Sequence, residues 1–347
     1  MILLHGYYGE QNAGDDAFTS ICVEQLAAQH GPVRVMAAEL PRVAAMRASP
    51  LLLRRRWWGL ADRVERQRIR TTLAAGARVI LGGGSLLRDS RGIAEVRHLL
   101  VQSPTRGHAA LGISIGPWRD SGAEAACADL LPRFDFIGVR DRPSLERARQ
   151  LSPEARVELT FDLAPLLMPE MSTEPRTGGL GIALCGPMVD DAQLDRLAGL
   201  CSNWLNHSPS RRVILLPFNV HPRKGDVALH QRLAARLGGA SRVAVEPYAG
   251  DPRVTWRRIA QLDALIAMRL HAGIFGYCSG TPTMLVPYEE KCHAWAEMIG
   301  QPAELMRTLS DLMGSDLERL GSGASGPVLG VDAARAAALR NFQAIDP

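Results

Sequence analysis

Short apolar runs that end in glycine or a polar residue, each followed by an amphipathic stretch of helical period, recur along almost the whole chain. MILLHGYYG, ARVILGGGS, AALGISIGPW and FDFIGVRDR are such runs, and each reads as a strand running into a loop. DDAFTSICVEQLAAQHG and RPSLERARQLS, which follow two of them, have polar N-termini and stop at Gly or Ser, as helices do. Strand and helix in alternation specify an α/β fold with a parallel sheet. The pattern breaks at MPEMSTEPRTGG, whose Pro, Gly, Ser and Thr content reads as an interdomain linker, and then restarts. GLGIALCG, RRVILLPFN, VAVEPY, LDALIAMRLH and TPTMLVPY are the strands of the second half. DDAQLDRLAGLCSNWLNH and GDVALHQRLAARLGG are among its helices.

The expected organisation is therefore two Rossmann-like domains with parallel sheets. The first spans residues 1–170, the second 178–312, and 313–347 form a connection through GSGASGP to a last helix, VDAARAAALRNFQAI. A chain of 347 residues with 46% hydrophobic content can bury two cores of ordinary size. Ligands of such sheets sit at the C-terminal ends of the strands, which places the expected cleft between the lobes.

Composition excludes several functions. Forty basic residues against 36 acidic leave a net charge of +4, so no global field favours nucleic acid. The six cysteines form no CxxC pair and no His/Cys cluster at zinc spacing, so neither a disulfide framework nor a structural metal is expected. MILLHGYYGEQNAGDDA has no basic leader and reaches turn residues after four apolar ones, too short for a signal peptide or a span; a cytoplasmic protein is expected.

Four stretches carry chemistry. GYYGEQNAGDDA follows the first strand without the GxGxxG spacing of a dinucleotide turn; Asn12, Asp15 and Asp16 can cap the next helix. Two adjacent acids exceed what a cap requires, so one of them can face the cleft. In LGGGSLLRD, the glycines with Gly83, Gly84 and then Ser85 bring backbone close to a substrate or to a packed neighbour; phosphate binding, sugar binding and close packing all fit. GVRDRPSLE puts Arg140 and Asp141 at a strand end: a capping Asp with a surface Arg, or an Arg whose planar fork clamps a carboxylate or phosphate.

AMRLHAGIFGYCSGTPTMLVPYEEK is the most informative stretch. Arg269 and His271 fall at a strand–helix junction, where polar groups are awkward in a core and natural around an anion. Lys291, one of only two lysines with Lys224, follows the next strand. A lone histidine is usually structural, yet Arg, His and Lys converging on one sheet edge favour an anion site.

In order, GYYGEQNAGDDA, LGGGSLLRD, ISIGP, GVRDRPS, FDLAPLL and MRLHAGIFGYCSGTPTMLVPYEEK resemble the polysaccharide pyruvyltransferase family. The resemblance implies a GT-B-like architecture and transfer of pyruvate from phosphoenolpyruvate to a glycan or lipid-linked sugar acceptor as a cyclic ketal. It assigns the acceptor to the N-terminal domain and phosphoenolpyruvate to the C-terminal one. Arg269, Leu270 and His271 match the family's Arg-Leu-His motif, Lys291 its lysine after the following strand, and Arg140 its arginine in the Val-Arg-Asp segment. Arg140, Arg269 and Lys291 would neutralise the donor's charges, His271 would bind phosphate or exchange protons, and Asp15 or Asp16 would act as the acid or hold sugar hydroxyls. Asn12, Gly83, Gly84 and Ser85 join the expected substrate-binding set. No step calls for a metal or a cofactor. A GT-B nucleotide-sugar glycosyltransferase is the alternative, and a non-catalytic glycan-binding protein a third, disfavoured because neutral glycans are more often held by aromatic faces and amides.

RRRWWGLADRVERQRIR, Arg54 to Arg70, is the most basic stretch. On a helical wheel Trp57, Leu60, Ala61 and Val64 share one face, which suits either packing on the sheet or reversible contact with an anionic membrane.

Overall fold

The computed structural model describes residues 1–37, 39–45, 60–167, 176, 179–239, 241–321 and 326–345. Two compact units result. One comprises Met1–Glu10, Asp15–Leu167 and Asp332–Pro347; the other comprises Gln11–Gly14 and Met168–Val331. The linker read at 168–179 lies almost wholly outside the described residues, as do Arg54 to Gly59 of the basic stretch.

The first unit is built on six parallel strands: β1 (Ile2–Tyr8), β2 (Val33–Ala37), β3 (Arg78–Leu87), β4 (Ala109–Ile115), β5 (Phe136–Val139) and β6 (Val157–Leu159). Their order is β2-β1-β3-β4-β5-β6. All seven residues of β4 are buried, as a parallel strand covered on both faces requires. The chain moves outward from β1 to β2 and then back across β1 to β3, so the topological switch point falls between β1 and β3. Leu73, Leu81, Ile93, Ile113, Leu130 and Ile137 lie in the core formed where helices meet this sheet. On helix Leu60–Ala74, Ile69 and Leu73 pack against that core, while Val64 is 52% exposed; Trp57 and the side chains of Leu60 and Ala61, read on the same wheel face, lie outside what is described.

The C-terminal helix Val331–Gln343 is tied to this sheet through a buried amide. Asn341 is fully buried; its Oδ1 accepts from the Gly112 N–H (2.9 Å) and the Thr160 hydroxyl (3.0 Å). Its Nδ2 donates to the carbonyls of Phe161 and Ala338. Every polar atom of the amide is thereby satisfied, which is what lets it sit in a core.

The second unit has five parallel strands: β7 (Gly179–Ala183), β8 (Arg212–Leu215), β9 (Val243–Val245), β10 (Ala264–Ala267) and β11 (Thr283–Leu285). They are ordered β11-β10-β7-β8-β9, with the switch point between β7 and β10. The helix after β10, Leu270–Ser279, is almost wholly buried and carries glycine where it crosses the sheet: a Cβ on Gly276 would lie 2.3 Å from Thr283 Oγ1. That close approach explains a helix of Gly, Ala and apolar residues with almost no charge.

Replacing Asn341 by Leu strands the Gly112 N–H in the core. We expect a loss of about 2–4 kcal/mol of stability, read as a lower urea midpoint with an unchanged slope.

Candidate active site

At the switch point of the second sheet, the strand ends are held together by one carboxylate. Asp226 is completely buried. Its Oδ1 accepts from the Gly186 N–H (3.1 Å), just after β7, and its Oδ2 from the Asn219 N–H (3.0 Å), just after β8. The guanidinium of Arg269, the residue just before the helix after β10, closes on the same carboxylate through Nε to Oδ2 (3.0 Å) and through Nη2 to Oδ1. Burial works to lower the pKa of Arg269, but hydrogen bonding and charge from Asp226 outweigh it and hold the value above its ordinary one. His230 backs the arrangement from behind. Its Nε2 accepts from the Leu184 N–H (3.2 Å), and Nδ1 faces the Asp226 carbonyl (2.9 Å), so the neutral ring protonated on Nδ1 satisfies both. Burial lowers its pKa.

Around this fork stand the other residues singled out from the sequence. His271, half-buried, is the second residue of the helix Leu270–Ser279 and lies against Gly14, where a Cβ would fall 1.9 Å from its Nδ1. Leu270 is buried. Segment 11–14 is fixed by Ala13 N–H to Phe218 O (2.9 Å) and Val220 N–H to Gln11 O (3.0 Å), and the Asn12 side chain accepts from the Gly14 N–H (3.0 Å) as a helix cap. Lys291 lies in the first turn of helix Glu290–Ile299, with Nζ 2.8 Å from Glu289 Oε2 and 5.5 Å from the centre of the Tyr288 ring. Tyr288 shares a hydrogen bond with Cys185, whose pKa burial raises while the charges of Arg269 and Lys291 pull it down. Asp226, Cys185 and Tyr288 were not foreseen; a lone acid after HPRKG is the sequence trace of the first.

The first unit has its own cluster at the ends of β1, β3 and β5. Arg140, which follows β5, is 5% exposed and turned inward. Its Nη1 meets Asp162 Oδ2 at 2.9 Å, Nε meets Ser114 Oγ at 2.7 Å, and Nη2 meets Ser85 Oγ at 3.2 Å. The fork foreseen as a clamp on substrate thus closes on Asp162, from the FDLAPLL segment, and what it presents is an oriented Ser85. Asp141 is the helix cap, accepting from the Ser144 N–H. Of the three consecutive glycines, two are packing positions. A Cβ on Gly82 would meet the Tyr8 hydroxyl at 2.3 Å, and one on Gly83 the Phe18 ring at 2.5 Å. Gly84 has φ +87° and nothing nearer than the Asp15 carboxylate at 3.9 Å, so it is the one where backbone lies open. Asp15 is half-buried in the first turn of helix Ala13–His30 and Asp16 is 4% exposed, so it is Asp15 that lies beside Gly84.

All six cysteines are free and buried. Among the described residues no group of three or more His, Cys, Asp or Glu could hold a metal, and no helix is long and apolar enough to cross a membrane.

The family model for polysaccharide pyruvyl transferase matches residues 12–290. The chain belongs to that family. It is a transferase. No curated protein matches the sequence. Among solved structures, UDP-GlcNAc 2-epimerase of Neisseria meningitidis bound to UDP-GlcNAc is 10% identical with a TM-score of 0.63, covering 99% of this chain and 100% of that one. HepE of Anabaena with UDP and glucose is 12% identical with a TM-score of 0.61, covering 99% and 96%. MnaA of S. aureus with UDP is 10% identical with a TM-score of 0.64, covering 96% and 94%. At such identities the likeness is one of fold, and it identifies this pyruvyl transferase as two Rossmann-like domains of GT-B-like type.

Two outcomes follow from the fork. Asp226→Asn leaves Arg269 buried without a counter-charge and is expected to cost about 3–5 kcal/mol of stability, measured by urea unfolding. Because the folded pKa of His230 is depressed, its contribution is constant above the ordinary histidine pKa near 6.5. It is lost as pH falls below that value, where the unfolded chain takes up a proton that the folded chain refuses. His230→Asn should flatten part of that acid slope in unfolding midpoints measured from pH 7 to 5.

Proposed function

We propose that this transferase moves pyruvate from phosphoenolpyruvate to a pair of hydroxyls on a sugar, forming a ketal and releasing phosphate. The observation that carries the reading is the contrast between the cations of the second unit. In the Arg269–Asp226 pair the carboxylate is fully buried and the arginine side chain is 16% exposed, and breaking a pair with a buried charge costs about 3–5 kcal/mol. Lys291 and Glu289 are each about a quarter exposed, so solvent reaches and screens that pair more than the Arg269–Asp226 pair. An incoming dianion can therefore take Lys291 from Glu289 while Arg269 stays in place as a fixed positive wall. Phosphoenolpyruvate, with carboxylate and phosphate on adjacent atoms, suits one exchangeable cation beside a fixed one and an imidazole.

The chemistry assigns the remaining roles. Protonation of the enol carbon makes C2 an electrophile with oxocarbenium character. One sugar hydroxyl adds there, the C2–O bond to phosphate breaks, and the second hydroxyl closes the ketal. Of the two hydroxyl protons, one balances that gained by the methyl carbon and the other leaves with phosphate. Lys291 and Arg269 stabilise the departing phosphate and His271 exchanges protons. In the first unit Asp15, beside the open backbone of Gly84 and the oriented Ser85, serves the acceptor, as acid or as holder of its hydroxyls. Arg140 acts through Ser85 and does not touch the donor.

Lys291→Ala is expected to lower kcat/KM by about 2–4 kcal/mol of transition-state stabilisation in a folded protein, measured as phosphate release from phosphoenolpyruvate with candidate sugars. Asp15→Asn should nearly abolish turnover. Asp16→Asn, changing a buried side chain, should act through stability instead. Full activity of Lys291→Ala would overturn the donor site. Cleavage of a UDP-sugar without release of phosphate from phosphoenolpyruvate would identify a glycosyltransferase of the kind the fold also hosts.

A further inference from the structure

At the opposite edge of the first sheet, where strands begin, a cavity of about 320 Å³ opens among Arg78, Arg106, His108, Asp135, Phe136 and Arg156. Its size lies at the lower end of ligand pockets, which run from about 300 to 1,000 Å³. Arg78, the first residue of β3, donates Nε to Gly107 O (2.9 Å) and Nη2 to Ile345 O (3.1 Å). These partners are carbonyls, and no carboxylate pairs with its charge among the described residues. Arg106 is exposed and has neither hydrogen bond nor ion pair there. Arg156 lies over the Phe136 ring, 5.3 Å from its centre, and pairs with exposed Glu158 at 3.3 Å. Among the described residues one acidic group lines the cavity: Asp135, whose Oδ2 accepts the N–H groups of Gly107 (2.7 Å) and His108 (3.0 Å).

His108 supplies the directional element. It is 5% exposed, and its Nδ1 accepts from the Val79 N–H at 3.0 Å, which fixes the ring proton on Nε2. No described residue accepts from Nε2. Burial is the largest influence on the ring and lowers its pKa, with Arg78 adding to the effect and Asp135 opposing it, so the ring is a neutral donor near pH 7.

We infer that this cavity is a second anion site, which takes a small free phosphomonoester between Arg78 and Arg106 with His108 Nε2–H as a directional donor. Among the described residues, three guanidiniums stand against Asp135 and Glu158, and Arg78 and Arg106 pair with no carboxylate. The site lies at the edge of the first sheet opposite the strand ends that carry Ser85 and Gly84. It does not depend on the reaction proposed above.

The test uses inorganic phosphate and glycerol phosphate titrated calorimetrically into Lys291→Ala protein, in which the proposed donor site is weakened. One site should remain, and Arg106→Glu in the same background should weaken it at least tenfold. Arg106 is exposed, so this change leaves the fold intact. In parallel, the His108 imidazole is followed by proton–nitrogen correlation. Its Nε2 resonance should move on adding phosphate and stay still in Arg106→Glu. A His108 resonance unmoved at high phosphate, or an Arg106→Glu protein that binds like its parent, overturns the proposal.

Discussion

The carboxylate of Asp226 is the point on which the second unit's site depends. Three segments leave the sheet side by side, after β7, β8 and β10. Asp226 accepts one bond from each of the first two and a pair from Arg269 on the third. In water a carboxylate would gain little from those partners, because each would replace a water molecule. Inside the protein its full burial makes every one of them necessary, and the same burial fixes the guanidinium in one plane. Arg269 is thereby a charge whose position is set before any ligand arrives.

The first unit solves a similar problem with different residues. Arg140 is held by Asp162 and Ser114, and its remaining nitrogen orients Ser85. In each unit one strand end thus carries an arginine paired with a buried aspartate. Such pairs impose geometry, since a planar fork hydrogen-bonded on two edges has no rotational freedom left. Lys291 differs from both: it is about a quarter exposed and pairs with Glu289, which is also partly exposed.

Much of this was legible in the sequence. Strand and helix periodicity gave the parallel α/β class, because a strand buried on both faces must be apolar throughout. The family motifs placed Arg269, His271 and Lys291 at strand ends. Residue types alone could not say which of their charges are already taken. Arg140 in GVRDRPS and Arg269 in MRLHAG look equally available, and the partners that bind them, Asp162 and Asp226, lie 22 and 43 residues away.

By itself, then, the sequence determined the fold class and family, and it placed the family motifs at strand ends, since these follow from local period and ordered motifs. Only the tertiary structure decided the use of each group. Asn12 became a cap, Gly82 and Gly83 became packing positions against Tyr8 and Phe18, and Asp15 was separated from Asp16 by burial. It also attached the C-terminal helix to the first sheet through Asn341, and gathered arginines from the starts of distant strands around His108. The physical reason is common to all of these: burial and pairing depend on which segments meet, and a parallel sheet brings together strand ends that are far apart along the chain.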